Sequence, residues 1–139
     1  MARLLATDDE ALRAVGLSRA KIVCVKDLAR RAQDGSLPLR WLERMQDDEI
    51  INALTQVKGI GRWTAQMFLI FKLGRLDVLP VGDLGIKDAI RQLYRLRKRP
   101  DPRWLARLAD PWRPYRSVAC WYLWESRRAG VLGPELDCS

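Results

Sequence analysis

The sequence contains no histidine. That removes zinc–histidine sites and every Ser-His or Cys-His catalytic pair. Acid–base chemistry, if there is any, falls to carboxylates, lysine or tyrosine. Cysteine is scarce: Cys24, Cys120 and Cys138 lie far apart and no C-x-x-C occurs. This argues against a cysteine-held zinc or iron–sulfur cluster. An odd cysteine count without a signal-peptide pattern points to reduced thiols in an intracellular protein. Cys24 and Cys120 fall on apolar helical positions and read as packing residues. No apolar run is long enough to span a membrane. Convincing alternating runs, low-complexity linkers and internal repeats are missing as well.

What is present is apolar and basic. Among 139 residues, 48% are hydrophobic, enough for one domain with a core and too many for disorder. Lysine and arginine number 25 against 17 acids, a net charge of +8. Such a surplus favours a polyanion, most often nucleic acid, with a plain solvated basic surface as the alternative.

Nearly every segment reads as helix, so a compact all-α domain over 1–130 is expected, with an irregular tail at 131–139. Thr7-Asp8-Asp9-Glu10 has the pattern of a capping box, and Gly16 closes that short helix. Ser18 opens the next, with Ile22, Val25, Leu28, Ala29 and Ala32 in one stripe, and Gly35 ends it. A short helix is predicted over Leu39–Met45. Asp47 or Asp48 is predicted to cap another, with Ile50, Ile51 and Leu54 facing inward. Trp63 to Lys72 is apolar nearly all round and predicts a helix buried at the centre. Leu76–Pro80 is predicted to be extended, and Leu84–Tyr94 helical. Pro102 behind Asp101, and then Pro114, are each placed at the first position of a helix.

The most informative stretch is 54–65, a helix, a glycine turn and a second helix. Gly59 and Gly61 permit φ > 0 and close approach of a foreign backbone. They stand where a helix begins, so free N–H groups suit a phosphate. An ordinary αα-turn with two glycines is the plain alternative. The carbonyls of Thr55, Val57 and Gly59 are natural donors for a monovalent cation bridging to a phosphate oxygen.

A second candidate is Asp83, in Pro80-Val81-Gly82-Asp83-Leu84-Gly85. Helix N-capping is its ordinary role. Gly82 and Gly85 clear space around it, as suits a carboxylate facing a cleft, and a cap can still present its other oxygen. Six tryptophans are present. Most tryptophans pack in cores or rims, and some stack on nucleobases. The run Arg95-Leu96-Arg97-Lys98-Arg99, with Arg113, Arg116, Arg127 and Arg128, is either a solvated face or a source of phosphate contacts.

Together these segments resemble the helix-hairpin-helix DNA glycosylase superfamily. The hairpin matches at Val57-Lys58-Gly59-Ile60-Gly61-Arg62-Trp63-Thr64-Ala65, and the aspartate loop at 77–85. Trp112-Arg113-Pro114-Tyr115-Arg116-Ser117, with Ala119, Trp124 and Gly16-Leu17-Ser18-Arg19-Ala20-Lys21, is similar to the 3-methyladenine DNA glycosylase II branch. The resemblance implies Asp83 as the catalytic carboxylate and double-stranded DNA with alkylated bases as the partner. It implies backbone contacts from Lys58, Gly59, Ile60, Gly61, Arg62 and Thr64. It places Trp63, Met67 and Trp124 at the base pocket. Trp63 stands where strand-nicking members carry a lysine, so a monofunctional hydrolase is implied. No cofactor is required and no iron–sulfur cluster or zinc is expected; the cation read from the hairpin carbonyls is a structural Na+ or K+.

The family's domain starts with further helices, including a glutamine-rich segment, and nothing here matches them. The glycosylase-type fold is therefore expected to be incomplete on its N-terminal side, leaving an open face for self-association. Three functional readings follow: a glycosylase acting on alkylated purines, a non-catalytic DNA-binding module or inactive fragment, and a helical scaffold for another protein.

Overall fold

A computed structural model describes residues 2–131; the predicted tail, apart from Val131, lies outside the described residues, as does Cys138. Every regular element among the described residues is helical. The chain divides into two compact units, Met1–Ala65 and Gln66–Ser139. No helix is long and apolar enough to cross a membrane among the described residues.

In the first unit, α1 (Ala2–Ala6) and α2 (Asp9–Ala14) pack on α3 (Arg19–Gln33). Asp8 caps α2, accepting the Glu10 N–H at 3.1 Å. The predicted Thr7 cap is wrong, because the Thr7 hydroxyl donates backward to the Arg3 carbonyl at 2.7 Å. Ser18 caps α3 as expected, through the Lys21 N–H. Ile22 and Ala29 bury its stripe, while Val25, Leu28 and Ala32 are half-buried. Gly35, at φ +81°, takes the left-handed turn that ends it. The helix predicted over Leu39–Met45 shrinks to one 3₁₀ turn, Leu42–Arg44. Next, α4 (Asp47–Thr55) buries Ile50, Ile51 and Leu54, as predicted. Its cap is Gln46 rather than Asp47 or Asp48. The Gln46 N–H donates to Glu49 at 2.9 Å. Asp47, Asp48 and Glu49 thus all fall in the first turn, where the helix dipole favours carboxylates.

α5 (Arg62–Met67) continues into a π-helical turn, Phe68–Lys72. The expectation of a helix buried all round fails here. Leu69 is fully buried, but Trp63 is 50% and Phe71 64% exposed. A π turn takes more residues per revolution, so Phe68–Lys72 spreads over more than one face, while Trp63 stands in the first turn of α5, ahead of it.

In the second unit, α6 (Leu84–Leu93) packs on α8 (Arg116–Arg128), with α7 (Pro102–Leu108) completing the core. Ile86, Ile90, Leu105 and Cys120 have no exposed surface. Burying each large aliphatic side chain is worth about 1.5–3 kcal/mol. Asp101 and Pro102 open α7 as predicted. Pro114 does not begin α8; Tyr115 is the cap and Arg116 the first helical residue. The first N–H groups of α8 are taken by the segment that leads into α6. Ser117 donates to the Leu76 carbonyl at 2.8 Å, and Arg116 N–H to Asp77 at 3.3 Å.

Candidate active site

The hairpin lies in the first unit up to Ala65. Val57 is buried, and its carbonyl accepts the Ile60 N–H at 3.1 Å. The Thr55 hydroxyl turns back to the Ile51 carbonyl at 2.8 Å. Of the two hairpin glycines, Gly59 uses the left-handed region, at φ +84°, and Gly61 does not. A Cβ on Gly59 would also come within 3.3 Å of the Cys24 Cβ. Gly59→Ala is therefore expected to lower stability by about 1–2 kcal/mol, the cost of a left-handed L-residue, read by urea denaturation. Lys58, Gly59, Gly61, Arg62, Trp63 and Thr64 are exposed, and Ile60 is half-buried. The first N–H of α5 to bond backward is Ala65's, to the Gly61 carbonyl at 3.1 Å. Among the described residues the N–H groups of Gly59, Gly61, Arg62 and Thr64 have no intramolecular acceptor, as at any helix start.

In the second unit Asp83 caps α6 and is 8% exposed. Its Oδ1 accepts the Ile86 N–H at 2.8 Å and the Trp124 indole N–H at 2.9 Å. Two donors on one oxygen hold the carboxylate in place. Gly85 makes room for this arrangement: a Cβ there would sit 3.1 Å from Asp83 Oδ1 and 3.3 Å from Trp124 Cδ1. Phe71 stands 5.6 Å from the Trp124 ring, tilted by 30°. The structure thus joins two of the predicted site residues, Asp83 and Trp124, and adds Phe71. Met67, the last residue of α5, is half-buried.

The loop leading to Asp83 is stapled to α8, which sequence reasoning missed. The Val78 N–H donates to Ser117 Oγ at 2.8 Å, and Ser117 Oγ donates to the Val78 carbonyl at 3.3 Å. Arg116 Nε and Nη2 grip the Asp77 carboxylate at 2.7 and 3.0 Å. Arg116 is the main reason that the Asp77 carboxyl is held below its ordinary range. The buried Gln66 donates to the Leu79 carbonyl at 3.3 Å. Trp112–Ser117 carried part of the resemblance, but no local pattern reveals that it braces the loop.

The basic residues sort themselves. Arg99 and Arg127 pair with the buried Asp88, Arg113 with Asp77 and Asp110, and Arg128 with Glu125. Arg95, Arg97 and Lys98 are exposed and make no ion pair among the described residues. Burial, and next the Asp83 charge, push the Cys120 thiol up to about 12. Cys120 is expected to resist thiol reagents at pH 8 until the protein unfolds, as read by peptide mapping. Among the described residues no three His, Cys, Asp or Glu side chains gather as a metal site.

Residues 1–114 match the HhH-GPD superfamily of base excision DNA repair proteins. The chain belongs to that superfamily. It is 42% identical over 122 residues to DNA-3-methyladenine glycosylase 1 of Schizosaccharomyces pombe, covering 87% of this chain and 54% of that protein. A putative DNA-3-methyladenine glycosylase of Bacillus subtilis is 35% identical, at 86% and 42% coverage. Among solved structures, the S. pombe 3-methyladenine DNA glycosylase in complex with abasic DNA aligns with a TM-score of 0.82 and 40% identity. That alignment covers 91% of this chain and 62% of that one. A DNA-3-methyladenine glycosidase from Bacillus halodurans gives 0.78 and 40%, covering 90% and 58%. The chain spans about half the length of the curated relatives it matches.

Proposed function

We propose that this HhH-GPD chain acts on DNA inside the cell as a monofunctional glycosylase, releasing alkylated purines of the 3-methyladenine type and leaving an abasic site. The observation that carries the reading is the buried Asp83 carboxylate, fixed through Oδ1 by Ile86 and Trp124. The hairpin grips a backbone phosphate through its unpaired N–H groups while the base leaves the stack, a step that costs a few kcal/mol. An alkylated purine is cationic and departs without a general acid. The bond between sugar C1′ and the base nitrogen breaks, and the base leaves with the bonding pair. Asp83 stabilises the positive charge that grows on the sugar and orients or deprotonates the water that attacks C1′. Trp63, Met67 and Trp124 are assigned to the base pocket; a tryptophan at 63 forms no Schiff base, so the strand stays intact.

Lys58, Gly59, Ile60, Gly61, Arg62 and Thr64 are assigned to the backbone, with Lys58 and Ile60 acting through their side chains, because their N–H groups bond inside the chain. The carbonyls of Thr55, Val57 and Gly59 are hard oxygen donors that suit Na+ or K+ and would tie the ion to a phosphate. The reaction needs no other cofactor. Copies of the chain associate through the apolar face that the helices preceding the hairpin unit cover in the family's domain.

The test is release of free base from methylated duplex DNA by the purified chain. A second reading, a DNA-binding module without catalysis, needs only the hairpin N–H groups that have no intramolecular acceptor among the described residues. It predicts salt-sensitive DNA binding with no base released.

A further inference from the structure

Helix α3 meets the hairpin turn at two points. Cys24 packs against Gly59, 3.3 Å from where its Cβ would stand. Asp27 Oδ2 accepts the Lys58 N–H at 2.9 Å. Residues three apart share a helix face, so one face of α3 holds two consecutive residues of the turn. Asp27 is only 7% exposed, and a buried carboxylate requires paired charge. Arg30 supplies it at Oδ1, and Arg31 Nε at Oδ2, 3.0 Å away. The Lys58 N–H, ahead of Arg30 and Arg31, holds the Asp27 carboxyl well below the usual carboxylate range.

The peptide unit is planar and rigid. The Lys58 N–H and the Val57 carbonyl belong to the same plane and point in opposite directions. Holding one aims the other. The Val57 carbonyl in turn accepts the Ile60 N–H. Lys58 and Ile60 thus bond inward, while the Gly59 and Gly61 N–H groups keep no intramolecular acceptor among the described residues.

We propose that Asp27 is a positioning residue for the phosphate grip: by holding the Lys58 N–H it locks the Val57–Lys58 peptide plane, and with it the Gly59 and Gly61 donors. The inference rests on the DNA-binding reading of the hairpin, and Asp27 itself touches no DNA.

Two substitutions isolate the effect. Asp27→Asn and Asp27→Ala both remove one negative charge and both lose the acceptor of Arg30 at Oδ1. They differ in that asparagine keeps the oxygen that receives the Lys58 N–H, together with Arg31 Nε. Asp27→Ala is expected to bind a duplex oligonucleotide about tenfold more weakly than Asp27→Asn, a typical loss for one such hydrogen bond. The slopes of affinity against salt should match, since the charge is the same. Equal affinities in the two folded variants would overturn the proposal. Amide hydrogen exchange in the wild-type chain provides a second arm. Lys58 should exchange at least about tenfold more slowly than Gly59, after correction for intrinsic rates. Equal exchange at the two positions also overturns it. The exchange arm requires neither variant nor DNA. A wild type that failed to bind DNA would sink the functional reading and the phosphate grip with it, whereas equal exchange in a chain that binds DNA would overturn the role of Asp27 alone.

Discussion

Asp83→Asn is expected to lower single-turnover release of alkylated base by about 10²–10³-fold, the range found when one preorganised charge-stabilising group is lost. The substitution is nearly isosteric. An asparagine oxygen can still accept from Ile86 and Trp124, and asparagine caps helices as well as aspartate. The melting temperature should therefore hardly move. DNA affinity should stay the same or improve, because a negative charge near the backbone is gone. What disappears is the charge that opposes the growing cation on the sugar. Equal base release by both proteins would remove Asp83 from the chemistry. Unchanged binding with no release by either would favour the non-catalytic module.

Gly85→Ala should separate activity from stability. Gly85 is the second residue of α6 and its φ is not positive, so alanine suits the backbone and raises helix propensity. The new methyl, however, arrives 3.1 Å from Asp83 Oδ1 and 3.4 Å from the Trp124 indole nitrogen. Backbone fixes the methyl, so the carboxylate or the indole has to yield by a few tenths of an ångström. The 2.9 Å bond between them is what such a shift disturbs. Base release is expected to fall about tenfold, because small misplacements of a catalytic group cost that much or more. Chemical denaturation should show equal or higher stability. Full activity in Gly85→Ala would mean that the Trp124–Asp83 bond does not matter to the reaction.

Much of the fold was legible because its signals are local. Ser18, Asp101 with Pro102, and Gly35 are caps and stops whose chemistry is contained within a few residues. The capping role of Asp83 was readable for the same reason. Its bond to Trp124 was not: the partners lie 41 residues apart, and nothing in Ala119–Trp124 marks an indole turned to a carboxylate. The Asp27–Lys58 tie spans 31 residues and hides inside an ordinary amphipathic helix. Charge was misleading in another way. Arg99, Arg113, Arg116, Arg127 and Arg128 look like a polyanion-binding face in sequence, yet each pairs with a carboxylate of the chain. Gln46 lost out to Asp47 and Asp48 as a predicted cap because propensity ranks aspartate higher, while the Glu49 carboxylate decided the register.

The π turn carries a consequence of its own. Leu73 N–H reaches five residues back, to the Phe68 carbonyl at 3.1 Å. In the genetic message that widening is one codon more than an α-turn would use. Taking it out would rewind the segment and swing Gln66 by about 100° relative to the chain that follows. Its amide would then miss the Leu79 carbonyl just ahead of Asp83. Phe68–Lys72 should accordingly tolerate exchange of one apolar side chain for another far better than any change in its length.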